Sequence, residues 1–416
     1  GMSAQRTMIK PLAAGGGILD CAHYISIWVA LVYSWPNLCI RGENMGWSRH
    51  HKNGLIHHSI MRSHAGYTLT ATRGGNYANL LDMEGQVCHR WYSPGGIGYG
   101  YLLPNGNLLL RSGAAPEGQG MGGSAKSILE LDWDGNVVWE FKNPLLHHDF
   151  HRTESGSTIA LVWNKLDQKL ADTVGGGFYE EGVDQGMYGD SVIEISPSGE
   201  TMNTWNAWEH LDLAEDVICP LENRREWTHA NSISLTPDGD FLISFRQTST
   251  IGIVDRKTGE FTWKWGPGIV SHQHHPTILE NGNILLFDNG AHRRGMNFSK
   301  VIEINPKTNE IVWEYQGDPP LSFYSYNISS AERQPNGNTL ICEGAPGRVF
   351  EVTPSGEVVW EYISPFFVGN PPTAGGSRFG YANAVFRAHR YAADHPALVG
   401  KDLNPDKHAN LNRLYR

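Results

Sequence analysis

The sequence predicts an all-β protein, a six-bladed β-propeller with N- and C-terminal extensions. Three observations carry this. The 416 residues include 48 glycines and 14 tryptophans but only 18% charged residues, a balance that suits short strands joined by tight turns. A hairpin turn ending in glycine recurs along the chain. Each copy then reaches a strand closed by tryptophan, and the six tryptophans stand 48, 66, 58, 50 and 47 residues apart, which is the period of propeller blades.

Taken in order, residues 1–50 form the N-terminal extension. Gly1 ahead of Met2 reads as a tag-cleavage scar. The stretch from Ile18 to Trp35 is apolar but contains Asp20 and His23, and it is too mixed and short to span a bilayer. Residues 51–365 hold the repeats. The turns are Pro104-Asn105-Gly106, Glu154-Ser155-Gly156, Pro237-Asp238-Gly239, Glu280-Asn281-Gly282 and Pro335-Asn336-Gly337, with a degenerate copy at Gly66. Glycine supplies the positive φ that such hairpins need. The closing tryptophans are Trp91, Trp139, Trp205, Trp263, Trp313 and Trp360. The segments 164–190 and 206–228 are insertions, expected as loops over one face that shape a pocket mouth. Residues 366–416 are a tail packed on the propeller. Gly369 to Gly376 reads as a linker, and residues 383–391 as a short helix or strand on the barrel side.

Net charge is −10, and no Lys/Arg cluster with interleaved aromatics occurs, so nucleic acid is excluded as a partner. The five cysteines, Cys21, Cys39, Cys88, Cys219 and Cys342, are odd in number and widely spaced. They give no disulfide framework and no CxxC clip, and read as reduced thiols. That favours a cytoplasmic protein, or a periplasmic one if a signal peptide has been removed. A homodimer is compatible with the sequence.

Aligning the blades on the turn glycine puts one position, eight residues earlier, just ahead of the innermost strand. Its occupants are His58, Gly98, His148, Asn231, His274 and Ser329. Alternate blades stand about 120° apart in a six-fold ring, so His58, His148 and His274 are expected to converge on the axis. His147, Asp149, His151, His229, His272, Gln273, His275 and Asn327 crowd the same level. A single buried histidine ordinarily does no more than satisfy backbone partners. Three at one repeat offset point to a shared site. Such a trio can hold a divalent metal with an open position, or act without metal as base, acid or nucleophile; spacing leaves both open. Arg246 and Arg294 are candidate anion partners. Tyr99 and Tyr101 are placed to stack an aromatic substrate or to pack between blades.

Several segments then resemble one family. Glu-Trp-Thr-His-Ala-Asn-Ser-Ile (226–233), Ser-Phe-Arg-Gln (244–247), residues 258–266, Gln-His (273–274) and Leu-Phe-Asp-Asn-Gly (286–290) are similar to arylsulfotransferase motifs. His-His-Asp-Phe-His (147–151), residues 335–344 and Val-Phe-Arg-Ala-His-Arg-Tyr (385–391) resemble a subgroup of the same name. The resemblance spans roughly residues 55–400. It implies a six-bladed propeller that moves a sulfuryl group between phenols through a sulfated histidine, with no required cofactor. It also implies that His229 and His274 are pocket histidines and that Arg294 steadies sulfate. Where the family carries its nucleophilic histidine, residues 325–330 have Asn327, so His148 or His274 is expected to stand in. A second reading keeps the pocket but makes it a lyase or hydrolase for a phenolic, lignin-like compound, using histidine acid–base chemistry or a divalent metal on His58, His148 and His274. A third, a non-catalytic scaffold, does not call for a polar axis.

Overall fold

Six antiparallel meanders, five of four strands and the last of five, are arranged as blades in the computed structural model, which describes residues 52–113, 121–181, 186–369 and 381–415. From the second blade to the fifth the chain order is simple, each blade running from its innermost strand outward. The innermost strands are Tyr99–Leu102, Leu146–Arg152, Ala230–Leu235 and His274–Ile278. Second strands such as Leu108–Ser112, Phe241–Phe245 and Ile284–Asp288 are buried at every position. They are covered on both faces by neighbouring blades, so each reads as a run of three or four apolar residues and not as a strict alternation. Outermost strands such as Val137–Lys142 and Glu310–Gln316 are largely exposed.

The tryptophan echo has a physical cause. Each indole N–H donates to the next blade's outer turn: Trp91 to Asp132 O, Trp139 to Pro197 O, Trp205 to Gly259 O, Trp263 to Asn309 Oδ1, Trp313 to Pro354 O, and Trp360 back to Met83 O. These six bonds, 2.8–3.0 Å long, run once around the ring and close it. The turn glycines echo for their own reason: Gly106, Gly156, Gly239, Gly282 and Gly337 sit at φ between 82° and 87°, a region open to glycine at no steric cost.

The first blade departs from the expected pattern, and so does the tail. The innermost strand of the first blade is His389–Tyr391, paired with Tyr67–Ala71. The tail is therefore a central strand and not a segment on the barrel side. Gly66 is not a hairpin glycine: a Cβ there would lie 2.5 Å from the Tyr391 carbonyl oxygen, so its bare backbone is what lets the tail approach. Gly54–His58 is the fifth, outermost strand of the last blade, paired with Val358–Ile363.

Both insertions carry structure. Helix α1 (Gln168–Thr173) is followed by Gly176–Phe178, which pairs in parallel with Ile218–Asn223 of the second insertion. The Arg224 guanidinium locks them together by donating to the carbonyls of Ala171 and Val174 at 3.0 and 2.8 Å. Asn53–Arg416 make up one compact unit. The stretch Ile18 to Trp35, Cys21 and Cys39 lie outside the described residues; Cys88, Cys219 and Cys342 are free thiols. Among the described residues no helix is long and apolar enough to cross a membrane.

Candidate functional site

In an antiparallel meander the inner strand begins, and the second strand ends, on the same face. That face therefore collects residues 147–148, 228–231, 272–275, 246–249, 289–293 and the insertions. The inner strands start irregularly there. His148, His229, His272, His275 and Ser329 all have positive φ, and the third, fourth and fifth blades carry bulges at these points. A bulge breaks the in–out alternation of a strand and re-aims its side chains. For this reason the adjacent residues His147 and His148 meet, their Nδ1 atoms 3.0 Å apart, where a regular strand would point them to opposite faces.

His148, His229 and His274 are brought together. The His148 and His229 rings lie 4.5 Å apart in an edge-to-face arrangement; His229 and His274 both disfavour protonation of His148, and His229 disfavours that of His274. Gly123 makes room for this: it has φ +81°, and a Cβ would fall 2.4 Å from the His148 ring. Burial, aided by neighbouring histidines and by Arg111 or Arg246, holds His148 and His274 far below the usual histidine pKa. Both are neutral at physiological pH.

The second partners fix the tautomers. Asn289 donates its amide to the carbonyls of Ser325 and Ile328, so its Oδ1 is the acceptor, and His274 Nδ1 must be the donor across the 2.7 Å contact. Its Nε2 then carries the lone pair. His229 Nδ1 lies 2.8 Å from Glu226 Oε2, and the other Glu226 oxygen accepts from Trp163 Nε1 at 2.8 Å. An Nδ1–H given to Glu226 likewise leaves the lone pair on His229 Nε2, and this ring is 12% exposed. Behind them, Trp163 stacks on His147, and His147 Nε2 faces Asp190 Oδ1 at 3.2 Å, off the line of a good hydrogen bond. Asp190 also accepts from Thr228 Oγ1 and from Ala230 N. Burial would raise its pKa, but these donors and His147 outweigh burial and hold it low.

Two arginines flank the cluster. Arg246 donates to Glu222 Oε1 at 2.7 Å and sits beside His274. Arg111, on the other side, is buried, packs over the Phe386 ring at 4.5 Å, and is pushed down to about 9 by burial and by Arg73. Its Nε has no partner.

The other expected residues fall elsewhere. His58 lies on the outermost strand of the last blade, with Nδ1 3.8 Å from Glu84. A metal shared by His58, His148 and His274 is therefore ruled out, because the offset rule took Gly66 for a hairpin glycine. Arg294 is exposed; its neighbour Arg293 is the one that turns in, onto Asp288 at 2.5 Å. Asn231 is buried and commits its amide to the Gln273 carbonyl at 2.8 Å. Asn327 is partly buried, and its carbonyl accepts from Ser325 and Ser329.

Tyr99, Tyr101 and His151 lie further along the inner strands, beyond a buried ion pair. Arg387 of the tail binds Asp149 with both terminal nitrogens, at 2.9 and 2.8 Å, and also donates to Asn231 O. Past this pair is a separate cavity of about 320 Å³, lined by Tyr99, Tyr101, His151, His275, Arg387 and His389 among others. Tyr99 Oη meets His389 Nε2 at 2.9 Å, and Tyr101 Oη accepts from Arg152 N. The polar level expected as one site is thus two. Sequence reasoning also passed over Glu226, Arg111 and Arg387. The first had a visible signal, a carboxylate three residues before His229.

A family model described as Arylsulfotransferase (ASST) matches residues 100–365. No curated protein matches the chain. Among solved structures, a Bacteroides caccae protein of unknown function is similar at 12% identity and TM-score 0.50, over 78% of this chain and 98% of that one. A streptogramin B lyase is similar at 12% identity and TM-score 0.44, over 81% and 97%. A virginiamycin B lyase from Staphylococcus aureus is similar at 13% identity and TM-score 0.38, over 64% and 69%. At these identities the likeness is one of fold alone.

Proposed function

The chain belongs to the arylsulfotransferase family, and from that membership we propose that it moves a sulfuryl group from an aryl sulfate to a phenolic acceptor through His229. One observation carries the choice of residue: the Glu226–His229 pair, whose geometry leaves the Nε2 lone pair free on a partly open ring. A carboxylate at Nδ1 fixes the tautomer and ring orientation and steadies the cation that forms when Nε2 attacks.

In the first half-reaction the Nε2 lone pair bonds to sulfur, the sulfur–oxygen bond to the aryl group breaks, and the phenolate leaves with that electron pair. Arg111 and Arg246 offset the charge on the sulfuryl oxygens and the departing oxygen. In the second, an acceptor phenol is oriented by a hydrogen bond to the neutral His274 Nε2 and gives its proton to solvent, and its oxygen takes sulfur from His229 as the N–S bond breaks. His148 packs edge-on against His229 and limits its rotation. No metal or organic cofactor enters either half-reaction. Asn327 stands where the family's nucleophile is expected, and in this reading His229 takes over that role.

Intact-mass analysis after exposure to p-nitrophenyl sulfate without acceptor tests this. A sulfuryl adduct on His229, absent from His229→Asn, is expected. Phenol release with no adduct would move the pocket to the lyase or hydrolase reading, in which His274 and His229 only exchange protons. Neither adduct nor release would refute both.

A further inference from the structure

Beside the proposed transfer site, on the same face, stands a second group of chemistry-bearing side chains that the transfer reaction does not use. Cys219 lies on the Ile218–Asn223 strand of the second insertion, His272 just ahead of the innermost strand of the fifth blade, and His292 in the loop after that blade's second strand. One donor atom from each falls within 4.8 Å of both others. Cys219 Sγ and His292 Nδ1 are 3.6 Å apart. The His272 and His292 rings meet at right angles with centroids 4.7 Å apart.

His272 is the informative member. Its side chain is 1% exposed, and neither ring nitrogen makes a hydrogen bond of good geometry, though the Arg246 backbone lies near. Burying an imidazole without well-placed partners is costly, and proteins rarely keep such a group without a use for it. His272 and His292 also hold left-handed backbone, at φ 59° and 61°, a conformation that costs side chains other than glycine energy. Both turn toward Cys219.

We propose that Cys219, His272 and His292 bind a divalent zinc ion. The donor set is right for it: one thiolate and two imidazoles suit a borderline-soft ion with tetrahedral preference. The spacing is right as well. Zinc–sulfur and zinc–nitrogen bonds of about 2.3 and 2.0–2.1 Å at a tetrahedral angle place the two donors about 3.6 Å apart, the separation found between Cys219 and His292. As the sulfur–metal bond forms, the Cys219 thiol gives its proton to solvent. Three protein donors leave a fourth position for water or an anionic ligand. Glu222 Oε1 lies 3.8 Å from His272 Nδ1 and 3.6 Å from His292 Nδ1, close enough to accept a hydrogen bond from a water there. Its pairing with Arg246 balances its charge while no ion is bound. The ion would join the second insertion to the fifth blade, along the wall that carries Arg246 toward His274.

Cobalt(II) is the probe, added to the full chain after chelator treatment. One equivalent should bind with a thiolate-to-cobalt charge-transfer band in the near ultraviolet, and zinc should displace it. Cys219→Ser should abolish that band. His292→Ala, at a partly exposed site where folding is not at stake, should weaken cobalt binding by more than the roughly 10–100-fold typical of losing an outer hydrogen-bond partner of a metal ligand. No stoichiometric binding would overturn the proposal. So would a band that survives Cys219→Ser, or an affinity unchanged in His292→Ala. The readout is spectroscopic and does not depend on sulfuryl transfer.

Discussion

Replacing Arg387 with methionine should destabilise the propeller severely, and by an amount the structure sets. Arg387 and Asp149 are each 3% exposed and are joined by two charge-assisted bonds of 2.9 and 2.8 Å. Asp149 also accepts from Phe150 N at 3.0 Å and Ile233 N at 2.9 Å. In Arg387→Met those two backbone donors remain, but the carboxylate has no counter-charge; breaking such a buried pair costs about 3–5 kcal/mol. In the double variant Asp149→Leu/Arg387→Met no charge is left buried. The remaining loss is three backbone groups without these partners, the N–H of Phe150 and Ile233 and the Asn231 carbonyl, about 1 kcal/mol each, or about 3 kcal/mol in all, a loss the single variant shares in part on top of its bare charge. The double variant should therefore be more stable than the single one. Urea unfolding followed by tryptophan fluorescence measures both, and hydrogen exchange at the 389–391 amides shows whether the central strand loosens first. The reasoning is refuted if Arg387→Met loses less than about 1 kcal/mol, or if the double variant is the less stable of the two.

Other outcomes follow from the same contacts. Glu226→Gln should lower kcat/KM for aryl sulfate roughly 10–100-fold, as loss of an outer partner does, while thermal stability changes little; an unchanged pH–rate profile would remove Glu226 from the dyad. Burial depresses His89 to about 4 and His272 to about 2, and holds His148, His274 and His275 well below 6.5. Below about pH 6.5 the unfolded chain therefore binds more protons than the folded one. Stability should fall with decreasing pH, by up to about 1.4 kcal/mol per pH unit for each such histidine; a melting temperature flat from pH 7 to 5 would contradict this. Trp360→Phe removes the bond that joins the last blade to the first and should cost about 1–3 kcal/mol, read by calorimetry, because it orphans the Met83 carbonyl.

Most of the architecture was legible because it repeats. Trp91 and its five counterparts echo since each closes the same inter-blade bond, and the five hairpin glycines echo since each occupies the same left-handed turn. What did not repeat was not legible. The first blade has no hairpin before Tyr67, since its inner strand comes from residues more than 300 positions away, and no local signal announces such a pairing. Gly66 looked like a turn glycine while serving as clearance for Tyr391, and that one misreading put His58 on the axis. His148 and His274 were found through the repeat offset. His229 was found through the resemblance, two positions off that offset. The separation of Tyr99, Tyr101 and His151 into their own cavity depends on the Asp149–Arg387 pair, which joins residues 238 apart.

The central strand His389–Tyr391 also sets an order of events during synthesis. The first blade leaves the ribosome with one edge bare, the inner side of Tyr67–Ala71, and its partner strand follows more than 300 residues later. An uncovered strand edge is a template for pairing with another chain. A nascent chain halted before residue 381 carries five blades' worth of apolar surface and an open seam, the state most prone to self-association. Emergence of residues 389–391 removes that hazard in one step, as this strand slides into the place that the first blade has kept vacant.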